Sequence, residues 1–235
     1  MEAVRHWLRD ARSIAVLTGA GVSAESGVPT FRGANGLWKQ YRAEDLATPG
    51  TFARDPKLVW QWYDWRRSLI AQADPNSGHY ALARAESHAR QFTLITQNVD
   101  GLHELAGSRN VLRLHGSIWR LRCLECGRER EDRRTPLPEL PPRCECGGML
   151  RPGVVWFGEP LPEKIWQAAE NAARSADLFL LIGTSAVVYP AAGLASIAKS
   201  SGARVVEINI ESALSGAVDE FLQGPSGELL PQLMA

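Results

Sequence analysis

The sequence predicts an α/β fold of the Rossmann-like, doubly wound type, in which helices cover both faces of a parallel sheet and a small zinc-binding module is inserted. Five short apolar runs rich in β-branched residues alternate with helical patterns, which is the order expected of a parallel sheet. Their near-continuous apolar character is typical of strands that are buried on both faces. A cysteine-containing segment separates the third run from the fourth.

The predicted elements follow one another in order along the chain. The strands are 13–18, 92–97, 111–115, 177–183 and 204–209. The clearest helices are 56–73, 162–175 and 190–200, and each begins with proline, which is favoured in the first turn of a helix. We expect an NAD-binding domain that comprises residues 1–120 and 151–235 and includes a helical insertion at about 33–80. Residues 121–150 would form the zinc-binding module.

Composition restricts the class of protein. Hydrophobic residues make up 45% of the 235 residues, a globular value, and 26 basic residues balance 26 acidic ones. A neutral chain is not expected to bind nucleic acid in bulk, so we predict no specific nucleic-acid partner. The charged N-terminal stretch resembles no signal peptide, and no apolar run is long enough to span a membrane, so we expect a cytoplasmic protein without a membrane partner.

Polar and glycine residues follow several predicted strands. Gly19, Gly21 and Ala24 match G-x-G-x-x-G/A after the first strand, which indicates pyrophosphate binding at a helix N-terminus, although a plain strand-to-helix turn is the alternative. The acidic ribose ligand of a dehydrogenase is missing about 20 residues further on, which disfavours redox chemistry. Asn209 and Glu211, or the run Gly183-Thr184-Ser185, can take the ribose role instead, the alternative being ordinary turn capping.

Two further strand ends carry polar groups that suit catalysis. Gln97, Asn98 and Asp100 follow the second strand, and His115 ends the third. Ligands of open α/β sheets bind outside the carboxyl ends of strands, so His115 is placed for acid–base work, although a lone histidine there is more often structural. We expect His103 to pack and hydrogen-bond, and His6, His79 and His88 to lie at the surface.

The four cysteines predict a structural zinc ion. Cys123 and Cys126 form C-x₂-C, and Cys144 and Cys146 form C-x-C after 17 intervening residues. Two such pairs indicate a tetrahedral four-thiolate site, which leaves no coordination position open for catalysis; four free thiols are the alternative.

The motifs in combination resemble the sirtuin family of NAD-dependent protein deacylases, from about residue 14 to about residue 224. They are Gly19-Ala20-Gly21-Val22-Ser23, Pro29-Thr30-Phe31-Arg32-Gly33, Gln97-Asn98-Val99-Asp100-Gly101-Leu102-His103, Leu114-His115-Gly116-Ser117, Val154-Val155-Trp156-Phe157-Gly158-Glu159 and Gly183-Thr184-Ser185. The family commonly has C-x₂-C in its second cysteine pair, so this chain is one residue shorter there.

The resemblance implies that an acyl-lysine carbonyl attacks the nicotinamide ribose of NAD, that nicotinamide leaves, and that 2′-O-acyl-ADP-ribose and free lysine form. It implies catalytic roles for His115, as general base, and Asn98. The implied cofactor-binding residues are Gly19, Ala20, Gly21, Ser23, Phe31, Arg32, Gln97, Asn98, Asp100, Gly183, Thr184, Ser185, Asn209, Glu211 and Ser226. Segments 154–159 and 187–189, with Val155, Phe157, Gly158 and Val188, would bind the substrate protein or peptide between them as a β-strand.

A tyrosine and an arginine in the predicted helix 56–73 suggest the acyl group. Tyr63 and Arg66 are i, i+3 neighbours on one face, and a phenol beside a guanidinium makes a carboxylate receptor. An amphipathic helix with aromatic core contacts is the alternative. Tyr-x-x-Arg resembles the signature of class III sirtuins, desuccinylases and demalonylases, and Ala47 matches the small residue that widens their acyl pocket.

Other functions remain open at this point. The chain could be a general lysine deacetylase that tolerates acidic acyl groups, an NAD-dependent mono-ADP-ribosyltransferase, or a non-catalytic module that senses NAD or ADP-ribose. ADP-ribose left on an acceptor protein identifies the transferase, and ligand binding without nicotinamide release identifies the sensor.

Overall fold

The computed structural model describes residues 1–30, 37–38, 41–214 and 217–234. The strands are β1 Ser13–Thr18, β2 Leu37–Trp38, β3 Tyr41–Arg42, β4 Gln91–Thr96, β5 Val111–Arg113, β6 Gly116–Cys123, β7 Glu129–Glu131, β8 Leu150–Val154, β9 Leu178–Ile182, β10 Arg204–Asn209 and β11 Glu220–Gln223. The helices are α1 Glu2–Asp10, α2 Ala20–Ala24, α3 Ala43–Leu46, α4 Pro49–Arg54, α5 Pro56–Ile70, α6 Ser77–His88, α7 Leu102–Leu105, α8 Glu163–Ser175, α9 Leu194–Ser200 and α10 Ser226–Leu233, with a 3₁₀ turn at Ala191–Gly193.

Within the described residues, six parallel strands form the central sheet in the order β11-β10-β9-β1-β4-β5. The chain runs outward from β1 through β4 to β5, and later returns to β9 on the other side of β1. Strand order therefore reverses between β1 and β9, and such a switch point opens a crevice at the carboxyl ends of the strands. This crevice is where the predicted nucleotide motifs lie.

Successive side chains along each strand point to opposite faces of the sheet, so the core is divided into two layers. Ile14 and Val16 of β1 pack towards α6 and α10, whereas Ala15 and Leu17 pack towards α8 and α9. Both layers are closed to solvent, which explains why these strands read as continuous apolar runs. The predicted α/β fold with helices on both faces is confirmed.

A second core lies beside the sheet, where α3, α4 and α5 pack against a three-stranded sheet of order β7-β6-β8. Trp60 and Ile70 of α5 are buried against Ile118, Leu121 and Leu150 of the small sheet. The cysteine-containing segment connects the strands of this small sheet, so the helical layer and the cysteine segment share one apolar interface.

The structure shifts or adds several elements relative to the sequence prediction. The predicted strands are confirmed with end shifts of one or two residues, and the predicted helix 190–200 divides into the 3₁₀ turn and α9. The sequence prediction missed β11, a four-residue edge strand too short to show a pattern, together with α10 and the strands of the two small sheets, and it gave no bounds for α1 and α6. No helix of the described part of the chain is long and apolar enough to cross a membrane.

Candidate active site

A cavity of about 810 Å³ opens at the carboxyl ends of β1, β4 and β9. It brings together most of the residues singled out from the sequence, although they come from distant parts of the chain. The lining includes Gly19, Ala20, Gly21, Ala47, Tyr63, Arg66, Gln97, Asn98, His115, Val155, Phe157, Gly158, Gly183, Thr184, Ser185, Val188, Asn209 and Glu211. One continuous space therefore joins the predicted nucleotide, catalytic and acyl regions.

The glycines after β1 allow the turn to pack against the end of β9. A Cβ atom added to Gly19 would lie 2.7 Å from the Thr184 Cβ, and one added to Gly21 would lie 2.8 Å from the Gly183 Cα. The Gly21 amide donates to the Gly183 carbonyl at 2.8 Å. Any side chain at either position would push the two strand ends apart and distort the crevice floor.

Asn98, Ser23 and Asp100 form a hydrogen-bonded chain below the cavity. The side-chain amide of Asn98 donates through Nδ2 to the Gly19 carbonyl at 3.0 Å and to Ser23 Oγ at 3.2 Å. Ser23 Oγ in turn donates to Asp100 Oδ2 at 2.8 Å. Burial raises the pKa of Asp100, while hydrogen bonds from Leu102 and Ser23 and the charge of Arg66 favour its ionised form. Ser23 and Asp100 thus support the cavity wall through Asn98 and do not themselves line it.

His115 lies half-buried at the cavity edge with a defined tautomer. Its Nδ1 is 3.0 Å from the carbonyl oxygen of Gln97, and because a carbonyl only accepts, Nδ1 carries the proton. Burial lowers the pKa of His115 below its ordinary value. The imidazole is therefore neutral near pH 7, and its unprotonated Nε2 can act as a base.

Two other histidines are buried beneath this site. His103 Nε2 lies 2.9 Å from Thr18 Oγ1, so the expectation that His103 packs and hydrogen-bonds is confirmed. The surface placement expected for His79 is wrong, because its side chain is fully buried, 3.5 Å from Ser23 Oγ, and its ring packs at a tilt against that of His103. Asn76, which caps α6, holds His79 inward through its backbone amide. Burial lowers the pKa of His79 to about 4 and that of His103 to about 3.

The part of the cavity that the sequence predicts to receive the acyl group is lined by α5 and by the residue that follows α3. Tyr63 and Arg66 both line the space and are 4% and 9% exposed, and Ala47 lines the same space. The Arg66 guanidinium carbon lies 5.3 Å from the ring centre of Trp62, which also lines the cavity. Burial raises the pKa of the Tyr63 phenol, which therefore stays protonated, and lowers the pKa of Arg66.

Trp156 joins the acyl end to the segment after β8. Its indole Nε1 donates to the Tyr63 hydroxyl at 2.9 Å, and its backbone amide donates to Glu159 Oε2 at 2.9 Å. Arg151 forms a two-pronged ion pair with Glu159, at 2.6 and 2.9 Å, and its guanidinium carbon lies 3.6 Å from the Trp156 ring centre. Trp156 is 3% exposed, and the sequence prediction gave its side chain no role.

Exposed apolar side chains border the mouth of the cavity. Phe157, Val187 and Tyr189 are 43%, 48% and 77% exposed. The Val155 amide donates to the His115 carbonyl and the Phe157 amide to the Ala47 carbonyl, at 3.0 and 2.9 Å. These two amides point into the protein, so a substrate strand would have to use other backbone groups of this segment.

The opposite face of α5 is attached to the cysteine-containing segment. Trp60 Nε1 donates to the Leu150 carbonyl at 2.9 Å, and Asp64 accepts from the Leu137 amide at 2.9 Å. Arg67, fully buried, donates to the carbonyls of Ile118, Asp132 and Arg134. One face of α5 therefore lines the cavity while the other is fixed to the small sheet.

The four cysteine sulfurs lie within 4.8 Å of one another. Cys123 and Cys146 are 3.5 Å apart, and Cys126 and Cys144 are 3.8 Å apart. Zinc–sulfur bonds of about 2.3 Å in a tetrahedron require sulfurs about 3.8 Å apart, so the set fits a zinc ion. The shorter C-x-C spacing does not prevent both of its thiols from reaching the cluster.

The part of the cavity that the sequence predicts to bind ribose is supported by the buried side chain of Glu207. Glu207 accepts from the Ala213 amide at 2.6 Å and from Ser212 Oγ at 2.9 Å, and both donors belong to the cavity wall. Asn209 donates to the Thr184 carbonyl at 2.9 Å and thereby ties the end of β10 to the end of β9. Sequence reasoning had missed Glu207, because one acidic residue within an apolar strand has no motif around it.

Phe31 and Arg32 lie outside the described residues. Ser226, at the start of α10, is not part of this cavity's lining; its hydroxyl donates to Glu25 Oε1 at 3.2 Å.

Residues 19–190 match the pattern of the Sir2 family. The chain belongs to the Sir2 family. It is 57% identical to "NAD-dependent protein deacylase 2" of Pyrobaculum aerophilum, over 97% of this chain and 92% of that protein. It is 60% identical to the "NAD-dependent protein deacylase" of Aquifex aeolicus, over 85% and 84% of the two chains. The predicted sirtuin resemblance is thereby confirmed.

Solved Sir2 structures share the fold over the whole chain. A Sir2 homologue mutant in complex with 2′-O-acetyl ADP ribose has a TM-score of 0.95 and 47% identity, covering 100% of this chain and 95% of that one. A Sir2–p53 peptide–NAD⁺ complex has a TM-score of 0.88 and 29% identity, covering 100% and 97%. The sheet, the crevice and the small cysteine-bearing sheet of this chain are thus those of a sirtuin.

Proposed function

We propose that this chain, an NAD-dependent protein deacylase of the Sir2 family, prefers acidic acyl groups such as succinyl and malonyl on lysine. The observation that carries the proposal is the placement of Tyr63 and Arg66, both buried, in the same cavity as His115. A buried guanidinium beside a phenol that stays protonated forms a receptor for a carboxylate. Ala47 lines the same cavity, and its small side chain would leave room for the longer acyl chain.

The residues that would hold NAD are grouped along one side of the cavity. The turn at Gly19 and Gly21 would take the phosphates, and Asn98, braced by Ser23 and Asp100, would border the nicotinamide. Asn209 and Glu211 would contact the adenosine ribose. When bound, NAD supplies the ribose carbon that accepts the acyl oxygen and releases nicotinamide.

His115 would act as the general base. Its Nδ1 proton is committed to the Gln97 carbonyl, so Nε2 is the atom that takes a proton from a ribose hydroxyl. The lowered pKa keeps this nitrogen unprotonated at neutral pH. The apolar side chains of Val155 and Phe157 would exclude water while the acyl group is transferred.

We propose further that the acyl-lysine peptide binds in the mouth between residues 154–159 and 187–189. A related protein has been solved as a Sir2–p53 peptide–NAD⁺ complex, which supports a peptide substrate, and Phe157, Val187 and Tyr189 of this chain line the mouth of the cavity. An added strand gains affinity from backbone hydrogen bonds, so the sequence around the lysine should matter little.

The cysteine segment, residues 121–150, is proposed to be a zinc module that supports the domain formed by residues 1–120 and 151–235. Four thiolates would fill a tetrahedral shell, so a zinc ion held there would have a structural role. Hydrogen bonds made by Trp60, Asp64 and Arg67 connect this module to α5, the helix that carries Tyr63 and Arg66.

The test compares one peptide carrying acetyl-, malonyl-, succinyl- or glutaryl-lysine, with and without NAD. We expect one nicotinamide per lysine freed, no turnover without NAD, and higher kcat/KM for the acidic acyl groups. Equal values for acetyl and succinyl would instead support a general deacetylase. ADP-ribose covalently attached to an acceptor protein would support the transferase, and acyl removal without NAD would refute the proposal.

A further inference from the structure

We propose that Trp156 is a positioning residue for acyl selectivity, which fixes the Tyr63 hydroxyl so that its proton is presented to the carboxylate of an acidic acyl-lysine. The inference rests on the proposed acidic-acyl function. Neither the catalytic nor the nucleotide motifs account for this side chain, and its buried hydrogen bond to Tyr63 joins residues 93 positions apart in sequence.

The direction of that hydrogen bond determines what the phenol can do. An indole N–H only donates, so the Tyr63 oxygen must accept from Trp156 Nε1 at 2.9 Å. A phenol has a single proton, and that proton is not used in this bond. Without Trp156 the hydroxyl could rotate between several partners. With Trp156 in place, it is oriented as a donor on the wall of the cavity that Arg66 also lines.

Trp156 is itself held firmly enough to orient another group. Phe52 packs against its ring with centroids 5.0 Å apart, and the Arg151 guanidinium covers a ring face. Glu159 accepts from the Trp156 backbone amide and pairs with Arg151, whose side chain is only 11% exposed. A cation over an indole is attracted to its face, which adds to the fixation of the ring.

The position of Trp156 in the chain connects two parts of substrate recognition. Its neighbours Val155 and Phe157 line the opening proposed for the peptide, whereas its own indole reaches Tyr63. One residue thus links the peptide-binding segment to the acyl receptor on α5. Displacement of the segment would move the indole and release the phenol.

The experiment replaces the donor while keeping an aromatic ring. Trp156→Phe should lower the ratio of succinyl to acetyl kcat/KM by about three- to tenfold, the scale of one hydrogen bond, and the loss should appear in KM. In a Tyr63→Phe background the same substitution should cause no further loss of that ratio, because the hydroxyl it orients is gone. Additive losses, or an unchanged ratio, would overturn the proposal.

The matched control is Trp60→Phe, which removes another buried indole hydrogen bond of 2.9 Å from the same helix as Tyr63. It should lower the Tm and leave the acyl ratio unchanged. Arg66→Met distinguishes the acidic-acyl function from the role of Trp156, because it changes the proposed carboxylate receptor and leaves Trp156 in place. A ratio lowered by Arg66→Met and not by Trp156→Phe refutes only the positioning role, and a ratio lowered by neither refutes both.

A spectroscopic readout is independent of turnover. Among the eight tryptophans, the indole ¹⁵N–¹H resonance of Trp156 is identified by its loss in Trp156→Phe. That resonance should move upfield in Tyr63→Phe, because the acceptor has been removed, and should stay in place in the Trp60→Phe control. An unchanged shift in Tyr63→Phe would show that the indole does not hold the phenol.

Discussion

Replacement of Arg66 by methionine tests the acyl assignment most directly. Arg66 is 9% exposed on the cavity wall, so a carboxylate that reaches it is bound away from bulk water. A hydrogen bond to a charged group contributes about 1.5–3 kcal/mol, and 1.4 kcal/mol corresponds to about a tenfold change. Arg66→Met should therefore lower kcat/KM for succinyl-lysine by roughly ten- to a hundredfold.

Acetyl-lysine provides the internal comparison, because its acyl group is short and uncharged and does not reach the guanidinium. Its turnover should change far less. If the carboxylate is held equally in the ground state and the transition state, the succinyl loss lies mainly in KM. Arg66→Lys keeps a positive charge near Asp100 but loses the planar fork, and should give an intermediate loss. Initial rates of nicotinamide release with both peptides provide the measurement.

The neighbouring residue supplies a matched control. Arg67 is one position along the same helix, but it donates to three backbone carbonyls of the small sheet and its neighbouring segment. Arg67→Met should lower the Tm and reduce the turnover of the acetyl and succinyl substrates in proportion, since it leaves buried carbonyls unsatisfied. The reasoning about Arg66 is refuted if Arg66→Met reduces acetyl and succinyl turnover equally, as Arg67→Met is expected to do.

Three further predictions concern the base, the metal and acid stability. His115→Ala should lower deacylation by roughly 10²–10⁴-fold while NAD binding, measured by calorimetry, persists; near-normal turnover of the folded variant would contradict its role. Cys126→Ser should lower the zinc content, measured by atomic absorption, together with the Tm, and zinc-free yet active wild-type protein would remove the metal assignment. His79 and His103 have folded pKa values of about 4 and about 3, so the unfolded chain binds protons first below about pH 6.5. Their contribution to stability is complete above that pH and is lost as pH falls towards 4, on the order of 3 kcal/mol each. Replacement of His103 by glutamine should flatten the fall in Tm between pH 6.5 and 4.5, whereas replacement of the exposed His88 should not, and equal slopes would contradict the burial argument.

The sequence by itself determined the local features. Continuous apolar runs located the five principal strands, because strands covered on both faces need apolar side chains at every position. Cysteine spacing located the four clustered thiols that could hold a metal ion, because short loops bring paired thiols together without help from the rest of the fold. Family motifs at strand ends located the nucleotide crevice and His115. These features depend on neighbours within a few positions, so they can be read from one chain.

The tertiary structure decided which faces are buried and which distant side chains meet. Helical spacing showed that Tyr63 and Arg66 share a face of α5, but not that this face lines a cavity while Trp60 and Arg67 are fixed to the small sheet. Helical spacing likewise did not reveal the burial of His79, which follows from how α6 packs beneath the crevice. The same holds for the bond from Trp156 to Tyr63, since a hydrogen bond across 93 residues is set by the packing of β8 against α5 and leaves no periodic signal in the sequence.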